Sequence, residues 1–292
     1  MKRRALFGPL CTLLAWLAAP VALADGHPPL WRIDGPNNSV YLLASIHVLR
    51  PTDDAMPDSV LQAYKQTAAI YMEVDVDDLD PAQAEQFTLE HGMLPEGQTL
   101  HDVLGAERYE HARQQAQQLG IDLEMFAQLE PWVVALSVAQ AQFIKLGLDP
   151  QAGVEQRLAQ KAAQDGKQIH GLETLTDQLN ALDSLPLARQ GEFLLVSLDE
   201  ATDLSAVADQ LIGAWSRGDT AVLAKTLTEE FNGFPELYRS LVVDRNRKWA
   251  DEIGALLHDK QNYLIVVGAL HLVGKDSVLE LLRAHGFSAK RN

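Results

Sequence analysis

The chain has 292 residues, a formal net charge of −16 and a single cysteine, Cys11. So acidic a chain is a poor partner for nucleic acid or an anionic membrane surface. Its length is ample for a sizeable core, and one cysteine rules out an internal disulfide framework.

The N-terminus reads as an export signal rather than as part of a fold. Lys2, Arg3 and Arg4 form a basic start, Ala5 to Ala19 is largely apolar, and Ala22-Leu23-Ala24 offers a cleavage motif before Asp25. The apolar run falls short of the roughly 20 residues of a comfortable membrane span. The expectation is a signal peptide over residues 1–24 and one α/β domain over 25–292. The product is exported, periplasmic or secreted, with no stable membrane insertion once the signal is gone. Cys11 leaves with the signal, which removes thiolate catalysis and cysteine-ligated zinc.

Leu30 to Ile33 and Val40 to Ile46 read as a hairpin around the turn residues Asp34 to Asn38. Asp58 is placed to N-cap a helix reaching about Thr67, and Ala68 to Val74 is the next strand. Strand, helix, strand implies a parallel pair with a right-handed crossover. From about 81 to 146 the pattern is a helical insert, broken near Gly92–Pro95 and Glu130–Pro131, with Val133 to Leu146 largely buried. A helix over Gly153–Asp165 and a short strand over Lys167–Leu172 follow. Helices fill Thr176 to Thr228, with a turn at Trp215–Asp219. Tyr238 to Leu257 reads as one helix, Asn262 to Val267 as the late strand, and Lys275 to His285 as the last helix. The fold class is α/β: a central, mainly parallel sheet from two pseudo-repeated halves, flanked by helices.

Two phrases carry the chemistry. Ala44-Ser45-Ile46-His47 and Gly268-Ala269-Leu270-His271 each end an apolar, β-prone run at a small residue, with a histidine three positions on. Open α/β sheets place their ligand crevice at such strand ends. Glu73 ends the strand between them in sequence, Glu173 follows another apolar strand, and Arg245 and Asn246 precede the second phrase. Two imidazoles and one or two carboxylates suit a first-row divalent cation with positions open to water, and Arg245 suits a carboxylate or an oxyanion. The acidic run Asp75, Asp77, Asp78 and Asp80 lacks the glycine and terminal glutamate of an EF-hand loop, so it reads as a solvated loop. His91, His101, His111, His258 and His285 have no ligand-like spacing and read as surface residues.

The two phrases resemble the paired G-x-x-H motifs of the TraB/GumN family. So do Glu73, Gly153-Val154-Glu155, Leu172-Glu173-Thr174, Gln178, Trp215 with Gly218-Asp219, and Arg245-Asn246, in that order over about Leu30 to Phe287. That family is similar to the Tiki proteases, regarded as metal-dependent peptidases, and more distantly to erythromycin esterase and haem-binding ChaN-like proteins. The resemblance implies two pseudo-repeated halves with the active site between them. It implies His47, His271 and Glu73 around a divalent cation, manganese, cobalt or zinc. Glu73 or Glu173 would be the general base, with Arg245 and Asn246 orienting a peptide or small-molecule substrate. One departure is that Ala44 stands where the first motif has glycine, a small change unless the backbone there needs positive φ. Two other readings remain open: a metal-independent, esterase-like hydrolase with His47 as base, and a protein that binds haem or peptide without catalysis.

Overall fold

The structure, a computed structural model, describes residues 27–75, 81–201 and 204–292. The expected signal peptide and Asp77, Asp78 and Asp80 lie outside the described residues. Six strands form one mixed, mostly parallel sheet: β1 (Leu30–Asp34), β2 (Ser39–Ser45), β3 (Ala69–Val74), β4 (Gln168–Glu173), β5 (Tyr263–Gly268) and β6 (Ala289–Arg291), in the order β4-β3-β5-β2-β1-β6. β4, β3, β5 and β2 run parallel, and β1 and β6 complete the other side through antiparallel pairs. The class is the expected α/β.

The strand–helix–strand unit is present, but β2 and β3 are not neighbours, because β5 runs between them. A strand from the far end of the chain thus takes the centre of the sheet. Its sequence explains why: Tyr263–Gly268 is apolar throughout and buried at every position. A strand covered on both faces needs that continuous pattern, and each of Leu264, Ile265 and Val266 is stabilised by about 1.5–3 kcal/mol on burial. A single charged side chain at Val266 would break the centre of the sheet.

Register then sets the site. Ser45 pairs with Gly268 across β2 and β5, and Val74 pairs with Glu173 across β3 and β4. All four parallel strands therefore end on one rim.

The helices differ from expectation in a few places. Pro57 occupies the N-cap of Asp58–Lys65, and Asp58 is its first helical residue, where its charge favours the helix dipole. The helix Pro131–Lys145 buries Trp132, Val134, Ala135 and Val138 but leaves Leu136 and Ile144 exposed. A helix on the outside of a layer can bury one face only. The single helix expected over Tyr238–Leu257 is three pieces: Pro235–Tyr238, a π-helical turn Arg239–Val243, and Asp244–Leu256. β6 was not expected, since Ala289-Lys290-Arg291 has no apolar alternation and pairs only at the edge. Below the main core around the sheet, a second core joins Leu100, Leu104, Ala112, Val134 and Val138 to Leu194 and Leu198. The helical insert therefore shares its core with the helix Leu187–Glu200. Among the described residues no helix is long and apolar enough to cross a membrane.

Candidate active site

Glu73 sits at the end of β3 and is buried. Its Oε1 accepts the Gly268 N–H at 2.7 Å, and its Oε2 accepts Arg245 Nη2 at 2.6 Å and Gln178 Nε2 at 3.1 Å. Burial pushes its carboxyl up, but the facing His271 and His47, Arg245 and the Gly268 amide outweigh that and hold it down at about 2. Glu73 is therefore a fixed carboxylate at neutral pH.

Both phrase histidines aim at it. His47 Nε2 lies 3.9 Å from Glu73 Oε1 and His271 Nε2 lies 3.8 Å from the same oxygen. Each ring is held by its other nitrogen. His47 Nδ1 meets Glu155 Oε1 at 2.8 Å, and His271 Nδ1 meets Asn246 Oδ1 at 2.6 Å. Asn246 is fully buried and its Nδ2 donates to the Asp276 carbonyl at 2.8 Å. Its Oδ1 can then only accept, so His271 carries its proton on Nδ1 and its Nε2 lone pair is left to face Arg245 Nη1 at 3.3 Å.

The two imidazoles live in opposite electrostatic settings. The Glu155 carboxylate beside His47 raises that ring to about 10, although burial and Arg245 oppose it. The His47 side chain is 62 % exposed, so water screens part of this pull. Burial pushes His271 down to about 3, with Arg245 and His47 assisting against Glu73. His271 packs under Trp249, ring centroids 4.5 Å apart, with only 6 % of its side chain exposed.

Arg245 is also buried, and its donors are spent. Its Nε and Nη2 reach Glu173 at 2.6–3.0 Å, Nη2 also reaches Glu73, and Nη1 donates to the Leu241 carbonyl at 2.9 Å. Nη1 also stands 3.3 Å from His271 Nε2. The Leu241 carbonyl belongs to the π-helical turn, and such turns free carbonyls from the α ladder. Arg245 thus holds Glu73 and Glu173, and Asn246 holds the His271 ring. Glu173 has its carboxyl raised by burial, a push that Arg245 resists.

Two glycines are required by space rather than by φ. A Cβ on Gly268 would lie 2.9 Å from His47 Nε2 and 3.1 Å from Glu73 Oε1. A Cβ on Gly153 would lie 2.1 Å from the His47 carbonyl oxygen, where Val154 N–H docks on the Ile46 carbonyl. Ala44 needs no glycine. It lies within β2, fully buried, and its carbonyl accepts the Trp215 indole N–H at 2.7 Å. The strand partner of Gly268 is Ser45, which hydrogen-bonds Glu155.

His47, Glu73, Glu173, Arg245, Asn246 and His271 thus form one connected cluster. Glu155 and Gln178 were not singled out by chemistry. Apart from their place in the family resemblance, their signals were the acid in the first turn of a helix after Gly153, and a glutamine four residues past a capping threonine. His91, His101, His111, His258 and His285 are exposed. Tested as a cation site, the donors fit in type and in aim, with both Nδ1 atoms anchored so that both Nε2 atoms face one carboxylate. Their spacing is open. With bonds of about 2.1 Å, separations of 3.8 and 3.9 Å need wider angles than a tetrahedral or octahedral site has. Among the described residues no group of three or more His, Cys, Asp and Glu side chains is spaced to hold a metal ion. A bis-histidine haem fits less well, since both Nε2 atoms stand within 4 Å of one buried carboxylate oxygen, Glu73 Oε1 at 3.9 and 3.8 Å.

The chain is 27 % identical over 250 residues to the uncharacterized protein YbaP of Escherichia coli strain K12, covering 85 % of this chain and 89 % of that one. An uncharacterized protein of Treponema pallidum is 26 % identical over 286 residues, covering 94 % and 85 %. The metalloprotease TIKI2 of Danio rerio is 24 % identical over 327 residues, covering 93 % of this chain and 62 % of its own length. No solved structure matches. The profile of the TraB/PrgY/gumN family matches residues 29–291, nearly all of the described chain, and the protein belongs to that family.

Proposed function

We propose that this protein is an exported hydrolase of peptide or related acyl bonds, working at the rim where β2, β3 and β5 end. The observation that carries this reading is the convergence of His47 Nε2 and His271 Nε2 on Glu73 Oε1, each ring fixed from behind. The likeness to a protein named a metalloprotease supports the peptidase class. Residues 1–24 are the signal, and N-terminal sequencing of the mature protein is expected to start at Asp25.

A divalent cation is the cofactor of this reading, manganese, cobalt or zinc, with His47, His271 and Glu73 as its ligands. When bound, it supplies a Lewis acid that brings water within reach of deprotonation near neutral pH. The exposed His47 ring is the ligand with room to draw in. Glu73 takes the proton of the attacking water. Arg245 keeps Glu73 ionised, and Asn246 and Glu155 fix the two imidazoles. Gln83 and Phe143 of the helical insert line cavities on either side of the rim and supply the insert's influence on specificity.

The opposite states of the two imidazoles favour a second reading, hydrolysis without a cation. Pairs of titratable groups driven apart in pKa mark acid and base. His47 then carries the proton that the leaving group needs, and Glu73 with neutral His271 receives one from water. This departs from the expectation that His47 is the base.

The test is metal content and hydrolysis on one preparation, wild type beside His47→Ala and His271→Ala. Stoichiometric metal and activity lost together in both variants support the first reading. Activity that survives exhaustive chelation but is lost in both variants supports the second. No hydrolysis of any peptide or ester by the wild type would sink both.

A further inference from the structure

We infer that the apolar cavity beside His47 is a binding site for an aminoalkyl chain, the apolar stem and terminal ammonium of a lysine side chain, with Glu230 at its mouth. The assignment of that chain to a substrate rests on the hydrolase reading; the chemistry of the site does not.

β2 stops at Ser45, and the chain bends at His47. The residues on either side of the bend, Ile46 and Val48, line one cavity of about 110 Å³. Phe143 and Leu148 close it from the last turn of Pro131–Lys145 and the loop beyond, and Leu211 and Ile212 from the helix Leu204–Ser216. The wall is apolar but for one residue, Glu230, the C-cap of the helix Thr220–Glu229. An apolar cavity of about 150 Å³ takes a six-carbon ring, so this one has room for about four carbons.

Glu230 sets this cavity apart from a packing void. It lines the cavity and is itself exposed, so it stands where the cavity meets water. Among the described residues no cation pairs with it, and nearby Glu200 repels it. The result is a negative mouth over an apolar floor. A side chain with an apolar stem and a cationic tip satisfies both, because the stem is buried while the head stays at the water boundary. A neutral alkyl chain of the same length fills the floor but leaves the carboxylates without a counter-charge, and an acidic chain is repelled. Position links the cavity to the chemistry. His47 is 62 % exposed and its Nε2 lies 3.9 Å from Glu73 Oε1. Consecutive Cα atoms are about 3.8 Å apart, so a side chain seated against Ile46 and Val48 holds its own backbone within about one residue of the reactive imidazole.

The probes are n-butylammonium, 1-butanol and butyrate, each titrated into the whole protein at pH 8. Glu230, held up at about 7 by the apolar side chains around it and by Glu200, carries its charge there. Methyl NMR signals of Ile46, Val48 and Ala208, all in the cavity wall, report occupancy. All three should shift with butylammonium, which should bind about fivefold more tightly than butanol, the preference that one partly screened ion pair supports. Butyrate should bind most weakly. Glu230→Gln should erase the difference between ammonium and alcohol, and Ala208→Leu, which fills the cavity, should bind neither. Urea unfolding checks that both variants fold, and Glu230→Gln, which keeps the side chain's size, carries the test if Ala208→Leu does not. Equal binding of butylammonium and butanol by the wild type, or no shift at these methyls, overturns the inference. For turnover, peptides that differ only in lysine or norleucine are compared as that position is moved along the chain. Lysine should raise kcat/KM about fivefold at one position, and Glu230→Gln should remove the advantage. Butylammonium binding with no hydrolysis of any substrate refutes the hydrolase and leaves the aminoalkyl site standing, whereas hydrolysis indifferent to lysine at every position refutes the use of that site by a substrate.

Discussion

Replacing Gly268 by alanine puts one methyl group between the reacting side chains. The new Cβ would stand 2.9 Å from His47 Nε2, 3.1 Å from Glu73 Oε1 and 3.4 Å from His47 Cε1. Ordinary contact starts near 3.4 Å, so His47 must retreat by about 0.5 Å or turn away. Glu73 cannot yield as readily, since Arg245, Gln178 and the Gly268 amide pin it. The backbone itself accepts alanine, with φ −51° and ψ 142° at this position. The unfolded chain loses some freedom, a gain of about 0.4–1 kcal/mol that offsets the crowding. Stability should then stay within about 1 kcal/mol of wild type. Activity should fall by about 10- to 100-fold, because misplacements near 1 Å cost about that much in rate. The assay is kcat/KM on a peptide or ester that the wild type cleaves, with urea unfolding of the same samples. Gly254→Ala serves as control, because its Cβ would meet only Phe287 at 3.9 Å. Full activity in Gly268→Ala would refute the idea that His47 and Glu73 must close on each other. A stability loss above about 2 kcal/mol would refute the claim that the methyl acts on the site rather than on the fold.

Other perturbations test the supporting shell. Arg245→Met leaves Glu73 and Glu173 buried without their cation, which should cost about 3–5 kcal/mol at pH 8. Both carboxyls then rise in pKa, so the deficit should shrink as pH falls toward 5, and urea unfolding at the two pH values checks the sign. Asn246→Asp replaces a neutral acceptor by a charged one at His271 Nδ1, and NMR titration should find that ring well above its wild-type value of about 3. An unchanged His271 titration would mean that Asn246 does not set its proton. Glu230 is raised to about 7 by the apolar side chains around it, with Glu200 adding repulsion, but the residue remains exposed and water screens part of that push, so the folded form holds its proton only somewhat longer than the unfolded form does. Its contribution is therefore fully present at acid pH and is lost as pH rises between about 4.5 and 7. Glu230→Gln should flatten that slope, seen as a smaller Tm difference between pH 5 and pH 8. Gly153→Ala drives a Cβ into the His47 carbonyl, a backbone atom with nowhere to go, and should destabilise by about 2 kcal/mol or more on thermal or urea unfolding.

The site was legible where chemistry and strand pattern coincide. His47, His271 and Glu73 follow apolar runs, and a strand's end fixes which rim its next residues occupy. What the sequence could not show is that β5 slides between β2 and β3, because pairing partners leave no mark in a uniformly apolar strand. Nor could it show the one-residue offset between the phrases: Ser45, not Ala44, lies opposite Gly268. That offset is why alanine in the first phrase meets no strain. Arg245 and Asn246 read equally well as a solvated face, since their burial depends on partners 72 and 172 residues away for Arg245 and 25 and 30 away for Asn246. The π-helical turn before them is invisible to a pattern of period 3.6. Glu155 looked like an ordinary first-turn acid, and only the close approach permitted by Gly153 puts it on His47.

β1 and β6 bear on how the molecule can be oriented. β1 runs antiparallel to β2, so Leu30 lies beside Leu43, close to the rim, and β6 returns to the same level, where Asn292 N–H donates to the Leu30 carbonyl. Whatever is joined before His27 or after Asn292 leaves the fold on the reactive side, only three strand spacings, about 14 Å, from β5. A tether at either end would turn the site toward whatever it is anchored to, and an affinity tag placed there would hang beside the opening rather than behind it.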